Sequence, residues 1–266
     1  MPTQTTTIVR TCPRCTLQNA PQARFCRQCG SPLSDVLAQA TTIMMGAPAG
    51  QAASRPSFAT IPPDLNAHIA AGTGTQQREC TCVVQDVSGS MGERYDDLYT
   101  KLVASQRAAC AMVIHKTKLD PLDEMAVVSF TDSAQIVCPM ISLDTGKPRL
   151  IQTIQSLTAG GGTDTNAALK AARDAFDRSR NDAVKRIVFQ TDGQGGDPLS
   201  TANELKARGV IIDVVGVGES PSAVNEKLLK QVASVIAGET RYRFIKNDSA
   251  TLIKHYTTLA LKTKVG

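Results

Sequence analysis

The sequence contains no tryptophan and only three histidines, and it also lacks a long apolar run. No stretch approaches the roughly 18 consecutive apolar residues that span a bilayer, which argues against a transmembrane protein. The first ten residues, MPTQTTTIVR, have no apolar core, so we expect no secretory signal. We therefore expect a cytoplasmic protein without a membrane partner, in which thiols stay reduced.

Common enzyme signatures are absent as well. The patterns GxxxxGK[ST], GxSxG and HExxH do not occur in the chain. The three histidines, His68, His115 and His255, are isolated, so no catalytic triad can be proposed. Hydrophobic residues make up 42% of the chain, which is enough apolar surface for at least one core and excludes a fully disordered protein. We expect a folded protein that is not an enzyme.

Four of the eight cysteines form two CxxC pairs near the N-terminus, and these are Cys12, Cys15, Cys26 and Cys29. Four thiolates suit tetrahedral Zn²⁺. The alternative, a redox dithiol, requires a βαβ context that is missing here. Residues 1–31 resemble the small zinc ribbons of bacterial proteins, and their four arginines give this segment a charge of +4. Phe25 is its only aromatic residue, which argues against nucleic acid as the partner but leaves it open.

Residues 32–77 differ in composition from the rest of the chain. They hold ten alanines, five prolines and four glycines but only three charged residues, which predicts a flexible linker without a core of its own. Threonines in this linker and in the N-terminal tail are candidate phosphorylation sites, namely Thr5, Thr6, Thr41 and Thr42. Phosphorylation there would involve a kinase and a phosphothreonine-reading domain, and the alternative is a plain polar tail and linker.

Strands and helices alternate from residue 78 to residue 266. Strands are predicted at residues 80–86, 125–130, 135–140, 184–191, 210–217 and 241–245, and helices at about 93–116, 147–156, 167–176, 198–208, 222–237 and 249–262. The short turn Thr131-Asp132-Ser133 joins two strands as a hairpin. This order predicts an α/β fold with a doubly wound, Rossmann-like, mostly parallel six-stranded sheet and one antiparallel edge strand.

Three oxygen-rich loops follow predicted strands or precede a predicted helix. The sequence DVSGSM begins at Asp86, GGTDTNAAL contains Thr163, and TDGQGGD contains Asp192. In an open α/β sheet, ligands bind outside the carboxyl ends of the strands. The donors are hard oxygens without histidine or cysteine, which favours Mg²⁺ or Mn²⁺ over Zn²⁺. The alternative is ordinary turn chemistry, because serine and aspartate favour turns.

Together, in this order, the three loops resemble the metal-ion-dependent adhesion site of the von Willebrand factor type A domain. The resemblance covers residues 78–266. It implies that the hydroxyls of Ser88, Ser90 and Thr163 contact the metal and that Asp86 and Asp192 act mostly through bound waters. An open coordination position would then accept an Asp or Glu of a partner protein.

The resemblance implies a non-enzymatic protein-binding module, in which the zinc ribbon serves recruitment or assembly. Two alternatives remain. Type A domains also occur beside AAA+ ATPases and metal chelatases, so the chain could be a subunit of such a complex. The basic ribbon could instead bind nucleic acid. Gln85 and Gln190 precede two of the loops where the family usually has apolar residues, and Asp213 interrupts the next predicted strand without a local reason.

Overall fold

The structure, a computed structural model, describes residues 6–11, 18–20, 33, 39–42, 77–193 and 195–261. The chain divides into two compact units, Met1–Thr60 and Ile61–Gly266. None of the helices within these ranges is long and apolar enough to cross a membrane. The four cysteines predicted to bind zinc and Thr5 lie outside the described residues, so the zinc ribbon stays a prediction.

The first unit contains a small antiparallel sheet with the strand order β2-β1-β3. Its strands are β1 (Thr6–Thr11), β2 (Gln18–Asn19) and β3 (Gln39–Thr42). Thr6 is the register partner of Thr42, and Thr7 is the partner of Thr41. Strand β3 lies within residues 32–77, so part of the segment predicted to be a flexible linker is paired in a sheet. The phosphorylation of these threonines stays a prediction.

The second unit is built on a six-stranded sheet with the order β11-β8-β7-β4-β5-β6. The strands are β4 (Glu79–Asp86), β5 (Glu124–Phe130), β6 (Ala134–Ser142), β7 (Val184–Thr191), β8 (Ile211–Gly218) and β11 (Tyr242–Lys246), and the hairpin β9 (Val235–Ile236) and β10 (Glu239–Thr240) stands apart. All neighbours pair in parallel except β5 and β6. The predicted fold class is confirmed, including its antiparallel edge strand.

Helices cover both faces of this sheet. They are α1 (Lys101–Leu119), α2 (Leu143–Gln155), α3 (Thr165–Ala175), α4 (Leu199–Ala207), α5 (Glu226–Val232) and α6 (Ser249–Leu259). Buried side chains of α1, α2 and α6 pack on one face, and those of α3, α4 and α5 pack on the other. Cys80, Cys82 and Cys110 are buried. Burial on both faces explains the near-continuous apolar runs of β7 and β8.

Two predicted helices begin or end elsewhere. The helix expected from residue 93 begins at Lys101, because the Thr100 side chain caps it by accepting from the Val103 N–H. Leu98, which lies inside the predicted helix range but before its observed start, is 74% exposed. The helix expected at 222–237 is interrupted by Asn225, which has a left-handed φ of 46°, and its last residues form β9 instead.

Candidate metal centre

The candidate metal centre begins at the carboxyl ends of β4 and β7. These strands are parallel neighbours, and Gln85 is the register partner of Gln190. The residues that follow, Asp86 and Thr191, therefore lie side by side. The Thr191 hydroxyl donates to Asp86 Oδ2 over 2.7 Å. The first and third loops are thus joined directly at one edge of the sheet.

The Asp86 carboxylate is nearly enclosed and is held by protein donors. It is 1% exposed, and its second oxygen, Oδ1, accepts from the Ser88 N–H over 2.8 Å. Burial raises the pKa of Asp86, while hydrogen bonds from Ser88 and Thr191 act in the opposite direction. Both oxygens already accept a hydrogen bond from the protein. This arrangement suits a carboxylate that acts on a metal through water.

The two serines of the first loop lie with their hydroxyls together. Ser88 Oγ and Ser90 Oγ are 3.1 Å apart, and the chain forms a short 3₁₀ turn from Gly89 to Gly92. An octahedral Mg²⁺ with oxygen ligands at about 2.1 Å places neighbouring ligands about 3 Å apart. The spacing of the two hydroxyls, and the chemistry of oxygen donors beside two carboxylates, therefore fit such an ion.

The second loop lies against the first. The Gly89 N–H donates to the carbonyl of Gly161 over 2.9 Å, and the Gly160 N–H donates to the carbonyl of Val87 over 2.8 Å. Asp132 supports this loop from the β5–β6 turn, since its carboxylate accepts from the Gly162 N–H over 2.7 Å. In the sequence, Asp132 is recognisable only as a turn residue. Its contact with a loop 30 residues away left no local signal.

The third loop contacts the second loop beside Thr163. The Thr165 hydroxyl donates to the carbonyl of Gly195 over 2.6 Å. Gly195 has a φ of +121°, and a Cβ atom there would collide with the carbonyl oxygen of Thr163. Glycine is therefore needed both for its backbone conformation and for the close approach of the two loops. Together, these contacts bring all three predicted loops to the same place.

A lysine that the reasoning from sequence missed reaches into this site. Lys101 Nζ lies 2.8 Å from Glu93 Oε2 and 3.3 Å from Asp192 Oδ2. Burial works against the charged form of Lys101, but hydrogen bonds and charge interactions with Glu93 and Asp192 outweigh it, so the pKa of Lys101 is raised. Lys101 was assigned to a predicted helix, and nothing local indicated which carboxylate it would meet.

Within the described ranges, no three His, Cys, Asp or Glu side chains are grouped so that they could hold a metal ion. The candidate centre therefore depends on hydroxyl oxygens together with two carboxylates. The hydroxyls are neutral, so Asp86 and Asp192 supply the negative charge of this donor set.

A known protein family matches the part of the chain that contains the candidate metal centre. Residues 81–194, a little under half of the chain, match the family model of the von Willebrand factor type A domain. The large unit contains a von Willebrand factor type A domain. The matched range begins in β4 and includes the first two loops and the start of the third, with Asp192. Type A domains generally mediate protein–protein interaction.

Two relatives of this type A domain are calcium-activated chloride channel regulator 1 of Homo sapiens and of Macaca mulatta. Each is 27% identical to the chain, over 183 and 182 residues respectively. The match covers 67% of this chain but only 18% of the length of each relative. The similarity thus concerns one region of two much longer proteins.

Solved structures share the fold of this type A domain. A von Willebrand factor type A protein from Catenulispora acidiphila is 22% identical with a TM-score of 0.55, covering 69% of this chain and 42% of that one. BatB from Bacteroides thetaiotaomicron is 17% identical with a TM-score of 0.56, covering 69% and 97%. The domain of the type V pili tip protein Mfa5 from Porphyromonas gingivalis is 14% identical with a TM-score of 0.57, covering 71% and 98%.

Proposed function

We propose that this protein is a non-enzymatic binding protein that holds Mg²⁺ or Mn²⁺ at the three loops and engages an Asp or Glu of a partner protein. The observation that carries the proposal is the joining of the loops. Asp86 accepts from Thr191, the second loop bonds to the first, and the hydroxyls of Ser88 and Ser90 lie 3.1 Å apart. Every candidate donor is an oxygen atom.

Each residue of the set has a distinct role in this proposal. The hydroxyls of Ser88, Ser90 and Thr163 would contact the metal. Asp86 and Asp192 would act through water and offset part of its charge. The bound ion would supply an open coordination position and an unneutralised positive charge that attracts a carboxylate. The chain itself would hold neutral hydroxyls next to two carboxylates that already have partners in the protein. Asp86 accepts two hydrogen bonds, and Asp192 pairs with Lys101.

The first test measures metal binding directly. Titration of the full chain with Mn²⁺, followed by electron paramagnetic resonance of the free ion, should show one site for wild type and none for Asp86→Ala. Asp144→Ala, which removes an exposed carboxylate on α2, should bind like wild type. Absence of Mn²⁺ binding by the wild-type chain would overturn the proposal.

The second test asks whether binding of a partner depends on the metal. The full chain immobilised as bait should retain a partner in Mg²⁺, lose it in EDTA and regain it when Mg²⁺ is restored. Asp86→Ala should fail to retain it, and Asp144→Ala should succeed. If the same proteins are recovered under all these conditions, the three loops are not the binding surface.

A further inference from the structure

Lys101 places a positive charge beside the proposed metal site. Its side chain is 10% exposed, and its ammonium group lies between the carboxylates of Glu93 and Asp192. The backbone N–H of Lys101 donates to the carbonyl of Glu93 over 2.9 Å, which fixes the first residue of α1 against the preceding loop. The ammonium group is therefore held in place and does not sample solvent freely.

The charges of the site explain what this lysine changes. Asp86 and Asp192 are both buried and together contribute two negative charges. Lys101 offsets one of them. The side chain of Glu93 is 67% exposed, so solvent screens its charge more strongly than that of Asp192. A divalent ion would leave the buried set with one net positive charge, and one carboxylate from a partner would neutralise it.

We propose that Lys101 weakens the binding of a free divalent ion and thereby makes tight metal binding depend on the partner's carboxylate. This inference rests on the proposed function. A cation in the low-dielectric edge of a domain repels another cation much more strongly than it would in water. Coupling of this kind is reciprocal: the carboxylate strengthens metal binding by the same factor by which the metal strengthens carboxylate binding.

The test compares Mn²⁺ affinities of full-length variants at constant ionic strength. Lys101→Met keeps the length of the side chain but removes its charge, and it should bind Mn²⁺ at least about tenfold more tightly than wild type. Lys101→Arg retains the charge and should bind no more tightly than wild type. Lys254→Met, which removes an exposed lysine on α6, controls for net charge and should leave the affinity unchanged. Lys101→Gln replaces Lys101→Met if the latter does not fold.

A second arm uses acetate as the carboxylate probe. Replacing chloride by acetate should tighten Mn²⁺ binding of the wild-type chain by a larger factor than that of Lys101→Met. Equal affinities of wild type and Lys101→Met, or equal gains in acetate, would overturn this inference. The proposed function would survive such a result, because different outcomes overturn it: no Mn²⁺ binding by the wild-type chain, equal binding by Asp86→Ala, or partner retention that depends on neither Mg²⁺ nor Asp86.

Discussion

The buried charged side chains of this protein are explained by the oppositely charged side chains that they contact. Asp213, on the central strand β8, is 2% exposed and lies 2.6 Å from Arg186 and 2.7 Å from Arg241. Arg186 is itself 1% exposed and also donates to the carbonyl of Leu259 over 2.6 Å. An apolar run that contains an aspartate is therefore compatible with a core strand when arginines come from other elements.

Replacing Asp213 by alanine should lower the free energy of unfolding by about 3–5 kcal/mol, because it leaves Arg186 buried without its closest carboxylate. The matched control is Asp182→Ala, which breaks the exposed Arg180–Asp182 pair and should cost much less, because solvent screens the two charges. Urea unfolding followed by circular dichroism measures both, since the chain has no tryptophan for fluorescence. Similar losses in the two variants would contradict the buried pairing.

His255 lies within the electrostatic influence of Asp213, Arg186 and Arg241. Burial lowers its pKa to about 4. Asp213 opposes this shift, and Arg243, Arg186 and Arg241 add to it. The ordinary pKa of histidine is about 6.5, so the unfolded chain binds a proton at His255 at a higher pH than the folded chain does. The stability contributed by the neutral ring is therefore complete above about pH 6.5 and is lost as the pH falls towards 4.

The unfolding free energy of wild type should accordingly fall between pH 6.5 and pH 4, with His255 contributing up to about 3 kcal/mol of the loss. His255→Gln cannot take up this proton and should show a shallower decline. His115→Gln is the control at a second partly buried histidine, whose pKa is also lowered by burial, and its effect should be smaller. Parallel pH profiles for wild type and His255→Gln would contradict the prediction.

At the scale of elements, a buried polar network joins two strands to two helices behind the candidate metal centre. The Tyr256 hydroxyl on α6 donates to Gln190 Oε1 over 2.5 Å and accepts from Gln85 Nε2 over 3.5 Å. Gln190 Nε2 also donates to the Ser105 hydroxyl on α1. The two glutamines that depart from the family's apolar pattern therefore share the Tyr256 hydroxyl as a hydrogen-bond partner. Gln85 Oε1 has no partner among the described atoms.

Tyr256→Phe should lower the free energy of unfolding by about 1–3 kcal/mol, because buried amide atoms of Gln85 and Gln190 lose their hydroxyl partner. Gln190→Met should cost less in the Tyr256→Phe background than in wild type, since the hydroxyl that it would leave unpaired is already gone. A double-mutant cycle measured by urea unfolding gives this difference. Strictly additive losses would show that the two side chains are not coupled.

At the scale of the whole molecule, the chain combines two units of different character. The first carries a net charge of +4 over residues 1–31 and the predicted zinc ribbon, and the second carries the type A domain. We propose that Cys12, Cys15, Cys26 and Cys29 bind one Zn²⁺ and that this unit recruits a further component. A module of this size has too small a core to fold alone, so zinc would supply most of its folding free energy.

Metal analysis of the full chain after metal-replete expression should show about one Zn per chain. Cys12→Ser combined with Cys26→Ser should abolish this zinc, because it removes one thiolate from each CxxC pair. Cys110→Ser is the control, since that cysteine is buried in the core of the type A domain and should leave the zinc content unchanged. A zinc-free wild-type chain would overturn the ribbon assignment.

The local sequence determined the alternation of strands and helices and the positions of the three oxygen-rich loops, because hydrophobic period, turn residues and strand-end polarity act over a few residues. Contacts between distant residues decided the rest. Lys101 meets Asp192 across 91 residues, and Asp213 meets Arg186 across 27. Such pairs form only when the sheet brings its strands together. No local pattern therefore foretold the charge inside the candidate site or the partners of the buried polar groups.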